Sequence, residues 1–231
     1  DPRADWIVHT ELISRGQNSG SLAIYLPRTL RYVIDAPARS VGAAPLLIWL
    51  PAEDSAPAAE LKRLREQLGE DPCLVVVEPM YSAGAGGAWI SEDHRDEDLA
   101  TLAFGLDRLR ERLLVQRTLR TDQVVLAGSG AGAEALASVA IGDRDWPLAI
   151  AHIEGPPGWF AMEGLPDPPP DGEEHPGPGL RVIVSEENGV AWQQEAAARA
   201  QVGAPLEVKI LTGEDVAAEV LLQQLSDALR R

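Results

Sequence analysis

From Val124 to Gly132 the chain reads Val-Val-Leu-Ala-Gly-Ser-Gly-Ala-Gly and then continues as a run of small and apolar residues, Ala133 to Ala140. The first four residues have the apolar character of a strand buried on both faces, and the last eight suit a helix. The turn between them has the spacing of G-x-S-x-G, which lifts a serine hydroxyl clear of a sheet for nucleophilic attack. With Gly128 and Gly132 as the outer glycines, the nucleophile slot falls on Gly130, which has no side chain. A second register, Ala127-Gly128-Ser129-Gly130-Ala131, makes Ser129 the nucleophile instead. Four strand residues ahead of Gly128 favour the first register, and the second stays open.

A serine at neutral pH needs a base. The four histidines are His9, His94, His152 and His175. His9 falls in the first expected strand and His94 just ahead of a long helix. His152 lies inside a strand, where it reads as a sheet residue rather than a base. His175 sits in the stretch 156–179, which carries eight prolines and no apolar period. It reaches an active site only if that stretch folds back over it, as a lid or binding loop does.

Other constellations point elsewhere. Glu92-Asp93-His94-Arg95-Asp96-Glu97-Asp98 has metal-ligand residue types, yet acids opening a helix ordinarily serve the dipole and the cap. Gly84-Ala85-Gly86-Gly87 lacks the Lys-Ser/Thr of a phosphate loop, and Gly128 to Gly132 lacks the spacing of a dinucleotide fingerprint. Both read as tight turns, so neither a metal nor a cofactor is expected. Trp89, Trp159 and Phe160 are candidates for an exposed aromatic patch, or for packing a lid onto the body. Cys73 is the only cysteine, opens an apolar strand and reads as a small buried hydrophobe.

The elements that must position these residues alternate along the chain. Strands are expected over 5–14, 21–27 and 30–36, with turns at Gly16 to Gly20 and at Pro27-Arg28, forming an antiparallel edge. Buried strands follow at Leu46 to Leu50, Cys73 to Val77, Gln123 to Ala127, Leu148 to Ile153, Arg181 to Val184 and Leu206 to Leu211. Helices fall between them: one with Leu61, Leu64 and Leu68 on one face and Gly69 at its end, and others over 96–115, 190–202 and 216–229. Strand–helix alternation of this kind predicts a single α/β domain over 1–231, with a mostly parallel sheet of about eight strands.

This order of elements, with its elbow, resembles the α/β-hydrolase fold, and in particular the compact secreted esterases related to polyhydroxybutyrate depolymerases and feruloyl esterases. The resemblance implies a Ser-Asp-His triad and an oxyanion turn, and each position departs from that pattern here. Gly130 stands in the serine slot, Asn188 in the acid slot after Arg181 to Val184, and Thr212-Gly213-Glu214-Asp215 where the histidine is due. Glu186 or Glu187 could stand in for the acid with a small shift. The oxyanion turn falls on Pro51-Ala52-Glu53-Asp54, where Pro51 has no N–H and two carboxylates oppose an anion, although Glu53 and Asp54 also suit helix capping. The implied expectation is a catalytically inactive homologue whose pocket is bounded by Gly130, Ala131, Glu53, Asn188 and Glu214. The rival is an esterase using Ser129, with His175 or His152 as base.

A net charge of −16 argues against nucleic acid and anionic membranes, which require clustered Lys and Arg. It serves solubility, or docking onto a partner with a basic surface, and an acidic pocket rim suits a small cationic or polyhydroxylated ligand. No apolar run is long enough to span a bilayer. A chain that begins at Asp1, with a resemblance to secreted esterases, leans toward a secreted or periplasmic setting.

Overall fold

The structure, a computed structural model, describes residues 8–11, 17–25, 28–37, 43–83, 86–142, 148–157, 179–201, 206–212 and 216–230. Glu214, His175, Trp159 and Phe160 lie outside these residues, as does all of the expected lid except Pro156, Pro157 and Gly179.

In chain order the elements are β1 (Val8–Glu11), β2 (Gln17–Tyr25), β3 (Arg28–Asp35), β4 (Ala44–Leu50), α1 (Pro57–Leu68), β5 (Cys73–Val77), β6 (Tyr81–Ala83) and β7 (Gly86–Ala88). There follow α2 (Arg95–Gln116), β8 (Leu119–Ser129), α3 (Gly130–Gly142), β9 (Leu148–Ile153), β10 (Leu180–Ser185), α4 (Glu186–Gln201), β11 (Leu206–Leu211) and α5 (Ala217–Arg230). Nine strands form one sheet in the order β1-β2-β3-β5-β4-β8-β9-β10-β11, and β6 pairs with β7 apart from it. From β5 to β11 every neighbour is parallel, while β1, β2 and β3 make the antiparallel edge.

Both faces of the parallel part are covered, so its strands carry apolar residues at successive positions. Leu46, Ile48 and Leu50 of β4 join Leu102, Leu106 and Leu109 of α2 and Leu136 of α3 in one cluster. Leu47 and Trp49 point the other way, with Leu61 and Leu64 of α1 and Leu221 and Leu225 of α5. Helix α1 opens on Pro57, whose fixed φ suits the first helical position, and closes at Gly69, where φ is +80°.

Among the described residues the sheet has nine strands, in keeping with the about eight expected. The differences from expectation are local. Where a turn is expected at Gln17 to Gly20, these residues instead begin β2 and pair with β3 at Gln17↔Asp35 and Asn18↔Ile34. Pairing along a sheet overrides their turn preference. Helix α4 opens at Glu186, four residues before the expected Val190. Acidic Glu186 and Glu187 complement the positive end of the helix dipole, so Asn-Gly at 188–189 continues the helix rather than forming a loop. The β6–β7 hairpin has strands too short for periodicity to show.

Candidate functional site

Strand β8 runs to Ser129 and α3 starts at Gly130, with no connecting residue between them. Gly130 has φ +55°, the left-handed region that glycine enters without strain. A Cβ built on Gly130 would meet the Cβ of Ala52 at 3.1 Å, so the side-chain direction at this position faces the turn after β4. The flanking glycines are required for a different reason. A Cβ on Gly128 would come within 2.9 Å of the Leu50 carbonyl oxygen and of the Ala133 nitrogen, and one on Gly132 would run into the carbonyl oxygens of Leu50 and Pro51. Backbone packs on backbone here, and only glycine leaves room. Ala131 occupies the second position of α3, half-buried.

Ser129 is the last residue of β8 and pairs in parallel register with His152 of β9. Partners in such a register project to the same face of the sheet. His152 is half-buried, and desolvation holds its pKa below the ordinary 6.5, with Glu154 acting in the opposite direction. His94 is exposed at the start of α2.

The turn after β4 is fixed by two contacts. The indole N–H of Trp89 donates to the Pro51 carbonyl at 3.0 Å, and the Ser55 amide donates to the Ala52 carbonyl at 3.1 Å. Trp89 is buried, so it belongs to the core rather than to an exposed aromatic patch. Glu53 and Asp54 are exposed in this turn, and α1 begins beyond them at Pro57 behind Ala56, which makes no side-chain cap. Helix capping by Glu53 or Asp54 is therefore not what the structure contains.

On the far side of the elbow, α4 supplies donors. Asn188 gives its amide N–H to the Glu154 carbonyl at 2.7 Å and to Ser185 Oγ at 3.3 Å, and the Trp192 indole gives its N–H to the Gly155 carbonyl at 2.9 Å. The residue in the expected acid slot thus sits in the first turn of a helix and ties down the segment that follows β9. A carboxylate, which only accepts, could not make that bond.

Two carboxylates that sequence reasoning did not single out, Glu134 and Glu154, join Glu53 at this end of the sheet. The Glu134 pKa is raised above the ordinary 4.5, first by desolvation and then by the negative charges of Glu53 and Glu154. One signal was available in the chain. Glu134 lies four residues after Gly130, one helical turn into α3, and Glu154 directly follows the strand beside the elbow strand. Gly130, Ala131 and Glu53 thus belong to one neighbourhood with Glu134 and Glu154, while Asn188 is engaged with the backbone.

Elsewhere the groups are occupied. Asp98 is buried and accepts from the Tyr81 hydroxyl at 2.7 Å and the Ser91 amide at 2.8 Å. Among the described residues no three of His, Cys, Asp and Glu are grouped to hold a metal ion. Burial pushes the Cys73 thiol up to about 11, as for an inert core thiol.

The sheet order, the parallel run closed by helices on both faces and the glycine-lined elbow are those of the α/β-hydrolase fold, and this chain has that fold. Solved structures agree. An acetyl xylan esterase from Thermoanaerobacterium sp. JW/SL YS485 superposes with TM-score 0.63 and 9% identity, over 98% of this chain and 89% of that one. An S-formylglutathione hydrolase from Agrobacterium tumefaciens gives 0.59 and 11%, over 98% and 97%. A carboxylesterase from Mesorhizobium loti gives 0.58 and 14%, over 85% and 94%. No family model and no curated protein matches the sequence. No helix among the described residues is long and apolar enough to cross a membrane.

Proposed function

We propose that this protein is a catalytically inactive α/β-hydrolase-fold module that binds at the carboxyl ends of its strands. Its ligand is a small cationic or polyhydroxylated molecule, or a basic patch on a protein partner. The observation that carries this reading is Gly130 in the left-handed position at the β8–α3 junction, its side-chain direction facing Ala52. That position is where the fold presents a nucleophile. Asn188 donating to a backbone carbonyl instead of orienting a base supports the same reading. So does Glu134, whose pKa is raised by desolvation and then by the charges of Glu53 and Glu154, an arrangement that a cation would relieve.

A second reading rests on one specific observation, the register that sets Ser129 opposite His152 with its pKa lowered. A neutral imidazole is the form that takes a proton from a serine hydroxyl. In that reading Ser129 Oγ attacks an ester carbonyl, His152 takes its proton and passes it to the departing alcohol, and water then releases the acid from the acyl-serine.

The two separate on one experiment. We expect no hydrolysis of p-nitrophenyl acetate above the buffer rate and no labelling of Ser129 by a fluorophosphonate. Turnover that Ser129→Ala abolishes would overturn the binding-module reading and establish the esterase.

A further inference from the structure

Strand β11 ends the nine-stranded sheet. Among the described residues it has β10 on one side and no strand on the other. Such an edge presents unpaired backbone donors and acceptors, and a protein that avoids edge pairing commonly blunts it with charge. The charges on this edge are arranged differently. Its sequence is Leu206-Glu207-Val208-Lys209-Ile210-Leu211, with Leu206, Val208 and Ile210 packed toward the larger core cluster and only half-buried. Glu207 and Lys209 lie on the opposite face, both exposed.

We infer that β11 pairs antiparallel with β11 of a second copy of this chain about a two-fold axis through Val208, making a homodimer with a continuous sheet. The charge pattern selects that register. With Val208 opposite Val208 of the second copy, Glu207 faces the second copy's Lys209, and Lys209 faces the second copy's Glu207. Leu206 then faces the second copy's Ile210 on the other side of the sheet. A shift of the axis to residue 207 sets glutamate against glutamate, and a shift to residue 209 sets lysine against lysine. Opposite charges directly across an antiparallel pair are favourable, and like charges oppose pairing.

The existing neighbour extends the pattern. Arg181 of β10 is the register partner of Glu207 and binds its carboxylate at 2.7 Å. Pairing in the Val208 register therefore continues an alternation of charge, Arg181–Glu207–Lys209, from one copy into the next. A two-fold interface is self-complementary by construction, and this one repeats each favourable contact twice. Two chains of net charge −16 repel at long range, so the dimer forms best at physiological salt. There the Debye length is about 8 Å, which screens distant charge more than pairs in contact.

Sedimentation velocity of the full chain over a wide range of concentration, at physiological salt, tests this. The expected result is a concentration-dependent dimer whose dissociation constant rises roughly tenfold or more in Lys209→Glu, because both symmetric pairs turn from attraction to repulsion. The triple variant Arg181→Glu/Glu207→Lys/Lys209→Glu exchanges every charge of the alternation, keeps the pair between β10 and β11, and restores the dimer. Glu207 and Lys209 are exposed, and far-UV circular dichroism checks that the fold is kept. A wild type that stays monomeric throughout overturns the proposal. A dimer indifferent to Lys209→Glu, or one the triple variant leaves weakened, overturns it as well.

Discussion

The two sides of the elbow are held by different kinds of contact. On the β4 side, main chain lies against main chain: Gly128 and Gly132 let the start of α3 approach the carbonyl groups of Leu50 and Pro51 closer than any side chain would permit. On the β10 side, two side chains of α4 reach over to the segment after β9, where Asn188 and Trp192 donate to consecutive carbonyls at Glu154 and Gly155. The first arrangement constrains residue size and is indifferent to chemistry. The second constrains donor and acceptor character and is tolerant of shape. A fold can therefore keep its elbow for packing reasons alone, and the glycines at 128 and 132 say little about what the protein does. The polar positions on the other side carry more information about function.

The largest expected effect breaks the first arrangement. Gly132→Ala places a methyl group against two backbone carbonyl oxygens that cannot move without shifting β4. Overpacking of well-packed sites costs about 1–3 kcal/mol, and a clash with backbone belongs at or above the top of that range. We expect a loss of about 3 kcal/mol or more in denaturant unfolding. A loss below about 1 kcal/mol would mean that the elbow is looser than backbone contact implies.

Next in size is Asn188→Asp, which keeps shape and reverses hydrogen-bond character. Removing the donor leaves the Glu154 carbonyl without its partner and sets an anion against it, at a cost of about 1–2 kcal/mol. A negative charge in the first turn of α4 gains back about 0.3–1 kcal/mol from the helix dipole, so the lost hydrogen bond wins by a modest margin. Once protonated, the introduced carboxyl can donate again, which gives the deficit a pH dependence. The carbonyl beside it favours that protonated form in the folded state. The deficit should be smallest below the ordinary aspartate value of about 4 and return as pH rises through the higher folded value. Thermal unfolding at both ends of that range measures it. A variant at least as stable as wild type at neutral pH would show that the slot prefers a carboxylate and would remove the contrast between the two sides.

The packing half of this comparison was legible in the sequence, and the hydrogen-bonding half was not. Unbroken apolar runs at Leu46 to Leu50 and Cys73 to Val77 mark strands covered on both faces, and they lie where expected. Leu61 and Leu64 with a terminal Gly69 mark α1 in the same way. Gly128, Gly130 and Gly132 are readable because few turns need three glycines at that spacing. Asn188 reads as a loop residue because Asn-Gly is a strong local turn signal, while its helix is set by the acids before it and the packing after it. Glu53, Glu134 and Glu154 lie far apart in sequence, and only the meeting of β4, α3 and β9 puts them in one field. Trp89 reads either as part of an exposed patch or as packing for a lid, because nothing local reveals that Pro51 accepts its N–H.

The smallest expected effect tests that acidic field. Desolvation and the charges of Glu53 and Glu154 raise the Glu134 pKa above 4.5, so the folded state resists its ionisation. The stability this group favours is present below pH 4.5 and is lost as pH rises through the folded pKa. His152 behaves in the opposite sense. Its pKa is lowered by desolvation, so the stability that its neutral form supports is present above pH 6.5 and is lost as pH falls toward the folded value. Glu134→Gln removes the first loss and leaves the second. At neutral pH the variant should be more stable than wild type by roughly a few tenths of a kcal/mol, since a half-exposed carboxylate is screened by water. Below pH 4.5 the gain should vanish, and the acid-side decline due to His152 should remain. A gain that persists unchanged at low pH would point to packing rather than charge, and would leave the three carboxylates without a shared field for a cation to neutralise.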